Sequence, residues 1–188
     1  MRRAENKIIS MKIFLLSDTH FGHDKMPQYC GRPIGFEKLI FDNLLRVVKK
    51  SDMLIHLGDF CIGDDEMWHK RFLTEIDCKK ILVRGNHDHK SNSWYLKMGW
   101  DFVCFAFSNT YFGKKILFSH CPHPINDVDF NIHGHFHNSL PRLLKKEWVT
   151  PDEEYRNKHD LSILTPKHKL LALEYTNYQP VLLETFIK

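Results

Sequence analysis

A chain of 188 residues, at about 150 per domain, predicts one globular domain spanning 1–188 with room for a sizeable core, and argues against a multidomain machine. Hydrophobic residues at 43% and charged residues at 27% exclude a disordered chain, and no apolar run nears the roughly 20 residues that span a bilayer. The net charge of +4 is spread along the chain with no basic block, so composition gives little support to nucleic-acid binding and none to a membrane partner.

Residues 1–10 read as an extension, with Met11 as a possible second start, and lack the apolar core of a signal peptide. Lys12 to Ser17 (KIFLLS) is a short apolar run bounded by polar residues, which predicts a buried strand. Phe36 to Lys50 carries Leu39, Ile40, Leu44, Val47 and Val48 at helical spacing and ends on lysines, as a helix C-terminus favours. Met53 to Leu57 predicts a strand, Asp65 to Ile76 a helix and Lys80 to Val83 a strand, a βαβ rhythm. Beyond Gly99 the texture turns β-rich: Phe102 to Phe107 and Tyr111 to Phe118, with turn chemistry at Ser108-Asn109 and Gly113-Lys114, predict an antiparallel meander. Val128 to Ile132 and Leu170 to Tyr175 are further strands, and Pro180 to Lys188 is a strand or a helix. Residues 141–169, charged and interrupted by Pro151 and Pro166, read as surface loops with one helical turn. Five cysteines without a CxxC pair fit a reducing, cytoplasmic setting and a packing role.

Histidine is what this sequence concentrates. Nine of thirteen fall in four clusters, at His20 and His23, His87 and His89, His120 and His123, and His133, His135 and His137. The segments Asp18-Thr19-His20, Gly58-Asp59, Gly85-Asn86-His87-Asp88, Ser119-His120 and Gly134-His135-Phe136-His137 each follow a predicted strand, where α/β sheets bind ligands. In extended backbone, residues two apart point the same way, so Asp18 with His20, and His135 with His137, could each grip one ion. Seven Asp, His and Asn ligands without cysteine favour Mn, Fe, Zn or Ni over a thiolate knot. They are too many for one tetrahedral ion and suit two divalent ions, about 3.5–4 Å apart, sharing a bridging carboxylate and clamping a phosphoryl centre. Their local positive field would draw phosphate.

The ordered set D-x-H, G-D, G-N-H-D, a lone H and G-H-x-H resembles the calcineurin-like metallophosphoesterases, over about Lys12 to His137. The likeness is greatest to small bacterial and phage-type members with DTHFGH, a G-R-P element (Gly31-Arg32-Pro33), G-D-F and R-G-N-H-D. The resemblance implies an α/β fold, a four-layer α/β/β/α sandwich with two mixed sheets and the metal site at the C-terminal strand ends. It implies one metal held by Asp18, His20 and His137, a second by Asn86, His120 and His135, and Asp59 between them. It makes His87, oriented by Asp88, the group that protonates the leaving oxygen after attack by a metal-bridging hydroxide. Relatives acting on phosphoproteins follow G-D with D-R-G; here Phe60-Cys61-Ile62-Gly63-Asp64 follows, without arginine. That favours a phosphodiesterase acting on nucleotides or nucleic-acid-type diesters, and leaves His23, Arg32 or Arg84 for substrate contact. A phosphomonoesterase, and a non-catalytic scaffold of the same fold, are the alternatives.

Other motifs fail or point elsewhere. Asp64 stands where a phosphate loop needs lysine, and Ile132 where a calcium loop opening at Asp127 needs glycine. His56, inside MLIHL, reads as a satisfied buried histidine and His133 as a neighbour of the ligands, while His69, His159 and His168 are expected to face solvent. The tryptophans read as core or rim packing.

Overall fold

The computed structural model describes residues 11–147 and 160–188. In chain order the strands are β1 (Ile13–Leu16), β2 (Met53–His56), β3 (Lys79–Val83), β4 (Phe102–Cys104), β5 (Ala106–Tyr111), β6 (Lys114–Ser119), β7 (Phe130–His133), β8 (His168–Leu170) and β9 (Val181–Leu182). The helices are α1 (Met26–Cys30), α2 (Phe36–Val47), α3 (Asp65–Glu75), α4 (Asn92–Met98), α5 (Leu140–Leu144) and α6 (Leu183–Phe186). One sheet has the order β4-β3-β2-β1-β9, parallel except for β9; the other has the order β5-β6-β7-β8, parallel except for the β5–β6 hairpin. This is the expected α/β architecture with two mixed sheets.

Strand β1 shows why its sequence lacks polar alternation. Ile13 and Leu15 face an inner core shared with Ile116, Phe118 and Ile132 of the second sheet, whereas Phe14 and Leu16 face a core shared with α1 to α4. Both faces are covered, so both are apolar. The parallel register pairs Leu16 with His56 and His56 with Leu82, which brings the chain out of β1, β2 and β3 at one edge. The pairing continues past the strands: Asp18 N–H donates to Gly58 O at 2.9 Å, His20 N–H to Asp59 O at 3.0 Å and Phe21 N–H to Phe60 O at 3.0 Å. Phe21 and Phe60 are fully buried below these loops, with ring centres 5.2 Å apart.

Several expectations are corrected. The second half is not an antiparallel meander: β4 joins the first sheet beside β3, and β6, β7 and β8 run parallel. Ser108 and Asn109 lie inside β5, on a largely exposed strand where polar residues need no turn, and the hairpin turns at Phe112-Gly113, both at positive φ. Leu170 to Tyr175 is not one strand, because β8 ends at Leu170 and Leu173–Tyr175 is a 3-10 turn. Pro180 to Lys188 holds both a strand and a helix. Two short helices were not anticipated, although their caps were in the sequence: Ser91 accepts from Trp94 N–H at the start of α4, and Gly31 and Gly99 end α1 and α4 in left-handed backbone. The loop region supplies α5 and a 3-10 turn at Leu161–Ile163, while residues 148–159, with Trp148, Pro151 and His159, lie outside the described residues. Nor does His168 simply face solvent, since its Nε2 lies 2.9 Å from His123 O.

His69 is the clearest reversal, being buried rather than solvent-facing. Its Nδ1 accepts from Trp100 Nε1 at 2.9 Å, and its ring stacks on Phe60 with centres 4.2 Å apart. His56 is the satisfied buried histidine that its strand predicts: Nδ1 accepts from Gly58 N–H at 3.1 Å, leaving Nε2–H to donate to Thr19 Oγ1 at 3.0 Å. Burial pushes both imidazoles down to about 3. The unfolded chain therefore takes up these two protons as pH falls below about 6.5, while the folded chain refuses them until about 3. Stability present above pH ~6.5 should be lost as pH falls through that window. Urea midpoints measured from pH 8 to 4 should show this slope, and His69→Gln should reduce it by about one proton's worth; an unchanged slope would mean that His69 is not held neutral.

Candidate metal centre

Five loops meet at the C-terminal ends of parallel strands: Asp18 and His20 after β1, Asp59 after β2, Asn86 to Asp88 after β3, His120 after β6, and His135 and His137 after β7. The anticipated strand alternation is not what aims the side chains. Asp18, His20, Asp59, His135 and His137 have φ of 53°, 46°, 54°, 74° and 48°, so D-x-H and H-x-H are both left-handed at each end. Such backbone costs about 1–3 kcal/mol per residue and persists only where the surroundings enforce it. Enforcement comes partly from apolar anchors: Phe21 follows His20, Phe60 follows Asp59, and Phe136 separates His135 from His137, all three buried. It also comes from close backbone approach, since a Cβ on Gly85 would strike Asp59 Oδ1 and one on Gly134 would strike Ser17 Oγ and Asp18 Oδ2.

The side chains then converge. Asp59 Oδ2 lies 3.3 Å from His120 Nε2 and 3.6 Å from His20 Nε2. His120 Nδ1–H donates to Leu57 O at 2.8 Å, which turns the Nε2 lone pair toward Asp59 Oδ2, Asn86 Oδ1 at 3.0 Å and His135 Nδ1 at 3.1 Å. His137 Nε2 lies 3.7 Å from Asp18 Oδ1, while Asp18 accepts from His135 N–H at 3.1 Å and from Ser17 Oγ–H at 2.5 Å. Both ring nitrogens of His20 are buried without a hydrogen-bond partner among the described residues. Acceptors crowd this space and donors do not, which is the chemistry of a divalent-cation site. Asp18, His20 and His137 offer ligand atoms within 4.8 Å of one another, as do Asp18, Asp59 and His120.

The electrostatics agree. Burial works to raise Asp59, but His120, His20 and His87 hold its carboxyl well below the usual carboxylate range. Burial likewise works to lower His120 and His137, yet Asp59 carries the first up to about 9, and Asp18, helped by Cys30 and Glu174, the second to about 10. His20 is pushed well down by burial, against the pull of Asp59. Positive charge is thus favoured on His120 and His137 beside the carboxylates, whereas burial raises Asp18 itself above the usual carboxylate range.

The remaining expected residues divide. His87 lies at the rim, its side chain 43% exposed, its N–H donating to Asp59 Oδ1 at 2.8 Å and its Nε2 3.9 Å from Asp59 Oδ2. Asp88 does not orient it: the buried carboxylate accepts from the N–H groups of Asp59 (2.8 Å), Phe60 (3.0 Å) and Gly85 (2.8 Å), so it braces two loops instead. Arg32 has no exposed side-chain surface and cannot meet a substrate; it reaches Asp18 O, Thr19 O and Glu174. Arg84 commits its donors to Asp88 O and Asn92 Oδ1 and lies over the Phe105 ring. His23 stands at the edge, its ring centre 5.6 Å from that of His20. His133 is buried with Nδ1 3.0 Å from Gly134 O. Three residues were missed, one of them Cys30, whose sulfur lies within 4.8 Å of ligand atoms of His137 and Glu174. Cys121 places its sulfur within 4.8 Å of ligand atoms of His120 and His135, and its adjacency to His120 was the available signal. Glu174 reaches His137 and Arg32 from a segment outside every motif, where spacing carries no signal.

The model of the calcineurin-like phosphoesterase family matches residues 11–170, and the chain belongs to that family. It is 30% identical to an uncharacterized protein of Methanocaldococcus jannaschii, over 94% of this chain and 90% of that one. It also resembles the crystal structure of a protein of unknown function from Aquifex aeolicus, with 27% identity, a TM-score of 0.68, and coverage of 95% of this chain and 98% of that one. Members of the family typically bind divalent metals, in keeping with the Asp and His clusters here. Among the described residues no helix is long and apolar enough to cross a membrane.

Two substitutions test how the loops are held. Gly134→Ala should lower the melting temperature and weaken Mn²⁺ uptake together, because the new methyl displaces Asp18. Asp88→Asn places an amide among three N–H donors and should cost about 1–3 kcal/mol in urea unfolding; unchanged stability would contradict the bracing role.

Proposed function

We propose that this chain is a metal-dependent phosphodiesterase, carried by one domain of residues 1–188, that holds two divalent cations. Asp18, His20 and His137 would hold one, and Asn86, His120 and His135 the other, with Asp59 shared. The observation that supports this most is Asp59 Oδ2 lying between His20 Nε2 at 3.6 Å and His120 Nε2 at 3.3 Å, as a bridging carboxylate would. When bound, such ions polarise a phosphoryl oxygen and lower the pKa of water from 15.7 toward about 7. Manganese suits the Asp, His and Asn ligands, as do iron, zinc and nickel.

The protein's own residues do the rest. Asp59 is held by its own N–H on Asp88, and its Oδ1 by the N–H of His87, so its carboxylate cannot swing away. His87 would give a proton to the leaving oxygen, a role supported by its exposure at the rim and its Nε2 lying 3.9 Å from Asp59 Oδ2. Burial favours the neutral form of His23, a candidate substrate contact beside His20.

Charge supports a diester over a monoester. A phosphomonoester brings close to two negative charges and a diester one, and the arginines nearest the centre are already engaged, Arg32 by Glu174 and backbone carbonyls and Arg84 by Asp88 O and Asn92. A nucleotide or nucleic-acid-type diester fits that balance. Five free cysteines suit a reducing, cytoplasmic setting.

Turnover of a chromogenic phosphodiester in Mn²⁺ should exceed that of the monoester with the same leaving group. Asp59→Ala should bring it to background and reduce metal uptake. His87→Ala should cut kcat by about 10²–10⁴-fold while metal content stays at the wild-type level. Preference for the monoester would overturn the diester assignment, and loss of metal from His87→Ala would make that residue a structural one.

A further inference from the structure

The geometry points to Arg32 and Glu174 as a buried positioning clasp for the Asp18, His20 and His137 half of the centre. This inference rests on the two-ion reading above and deepens it. The partners lie 142 residues apart, Arg32 between α1 and α2 and Glu174 in the 3-10 turn Leu173–Tyr175. Their side chains are 0% and 5% exposed, so the pair is desolvated, and such a pair is stable only when its remaining hydrogen bonds are made.

The guanidinium makes them toward one loop. Nη1 donates to Thr19 O at 2.9 Å, Nη2 to Asp18 O at 2.7 Å and Nε to Glu174 Oε1 at 2.8 Å. Two successive carbonyls of the strained D-T-H turn are therefore fixed by one rigid fork. Asp18 and His20, on either side of Thr19, are both in left-handed backbone, so holding these carbonyls holds the turn that aims their side chains.

The carboxylate acts on the opposite loop. Glu174 Oε1 lies 3.4 Å from His137 Nδ1, and Arg32 Nη2 lies 3.3 Å from the same nitrogen. Nη2 thus donates to Asp18 O at 2.7 Å and also faces His137 Nδ1, while Glu174 Oε1, 2.8 Å away, is its ion-pair partner. With a cation on Nε2, which faces Asp18 Oδ1 at 3.7 Å, the ring hydrogen would sit on Nδ1, where Glu174 Oε1 at 3.4 Å is the acceptor in reach. A carboxylate behind a ligating histidine fixes its tautomer and raises its basicity. Neighbouring bonds close the same seam: Asn138 Nδ2 donates to Cys30 O at 2.9 Å, and the Tyr175 hydroxyl donates to Asn138 O at 3.2 Å.

The clasp touches one half of the centre, so its loss should be selective. Mn²⁺ is titrated calorimetrically into chelator-stripped full-length protein, with His137→Ala identifying the step that belongs to this half. Glu174→Gln, which keeps the shape and removes the charge, and Arg32→Lys, which keeps the charge and removes the fork, should each weaken that step by about 10–100-fold. The step belonging to Asn86, His120 and His135 should be unchanged, and melting curves by circular dichroism should show that the variants are folded. Equal weakening of both steps, or a lower melting temperature with both affinities intact, would overturn the clasp and leave the two-ion reading standing. Wild-type protein that takes up no Mn²⁺ would overturn both.

Discussion

The crowding of lone pairs around Asp59 Oδ2 is the interaction on which the rest of this structure turns. Carboxylates and imidazoles gathered in a buried pocket are costly to keep there, because each has lost water and the acceptors outnumber the donors. Every feature around the pocket keeps these groups from relaxing apart. Parallel strands deliver the loops to one edge, the buried phenylalanines Phe21, Phe60 and Phe136 tie them down, and Gly85 and Gly134 let backbone pass against the carboxylates of Asp59 and Asp18. Asp88 joins the loops after β2 and β3 through three N–H groups. The left-handed residues are then a consequence: a short loop that must turn two side chains into the pocket and one into the core has little other backbone available.

The same constraint explains why buried charge is so abundant here and so closely paired. Asp18, Asp59, Asp88, Arg32 and Glu174 all lie within the shell of this one site, and each is met by hydrogen bonds or by an opposite charge. Removing one partner strands another, so these groups are expected to behave as a network and not as independent contributors. His87 stands apart, exposed at the rim and tied by its backbone, as the proposed proton donor would have to be.

Much of this was legible in the residues. The strand-loop-strand rhythm of the first half, the loops that carry the site and the histidines that crowd it follow from apolar runs ending in D-T-H, G-D and G-N-H-D. What spacing could not reveal was how the backbone aims the side chains: alternation suggested a pincer for Asp18 and His20, and left-handed turns make it instead. Asp88 and Arg32 illustrate a second limit. A polar residue in a motif looks the same whether it faces the substrate or the backbone behind it, and both of these face the backbone. Glu174 illustrates a third, since a long-range partner outside every motif leaves no local trace. In the second half, Ser108 and Asn109 imitated a turn because an exposed strand tolerates the same polar residues as a loop.

The most direct measurement is diffraction at the manganese absorption edge from crystals of the protein soaked in Mn²⁺. Two anomalous peaks about 3.5–4 Å apart are expected, one beside Asp18, His20 and His137, the other beside Asn86, His120 and His135, with the Asp59 carboxylate between them. A single peak, or peaks that leave Asp59 without a metal neighbour, would contradict the shared-carboxylate centre.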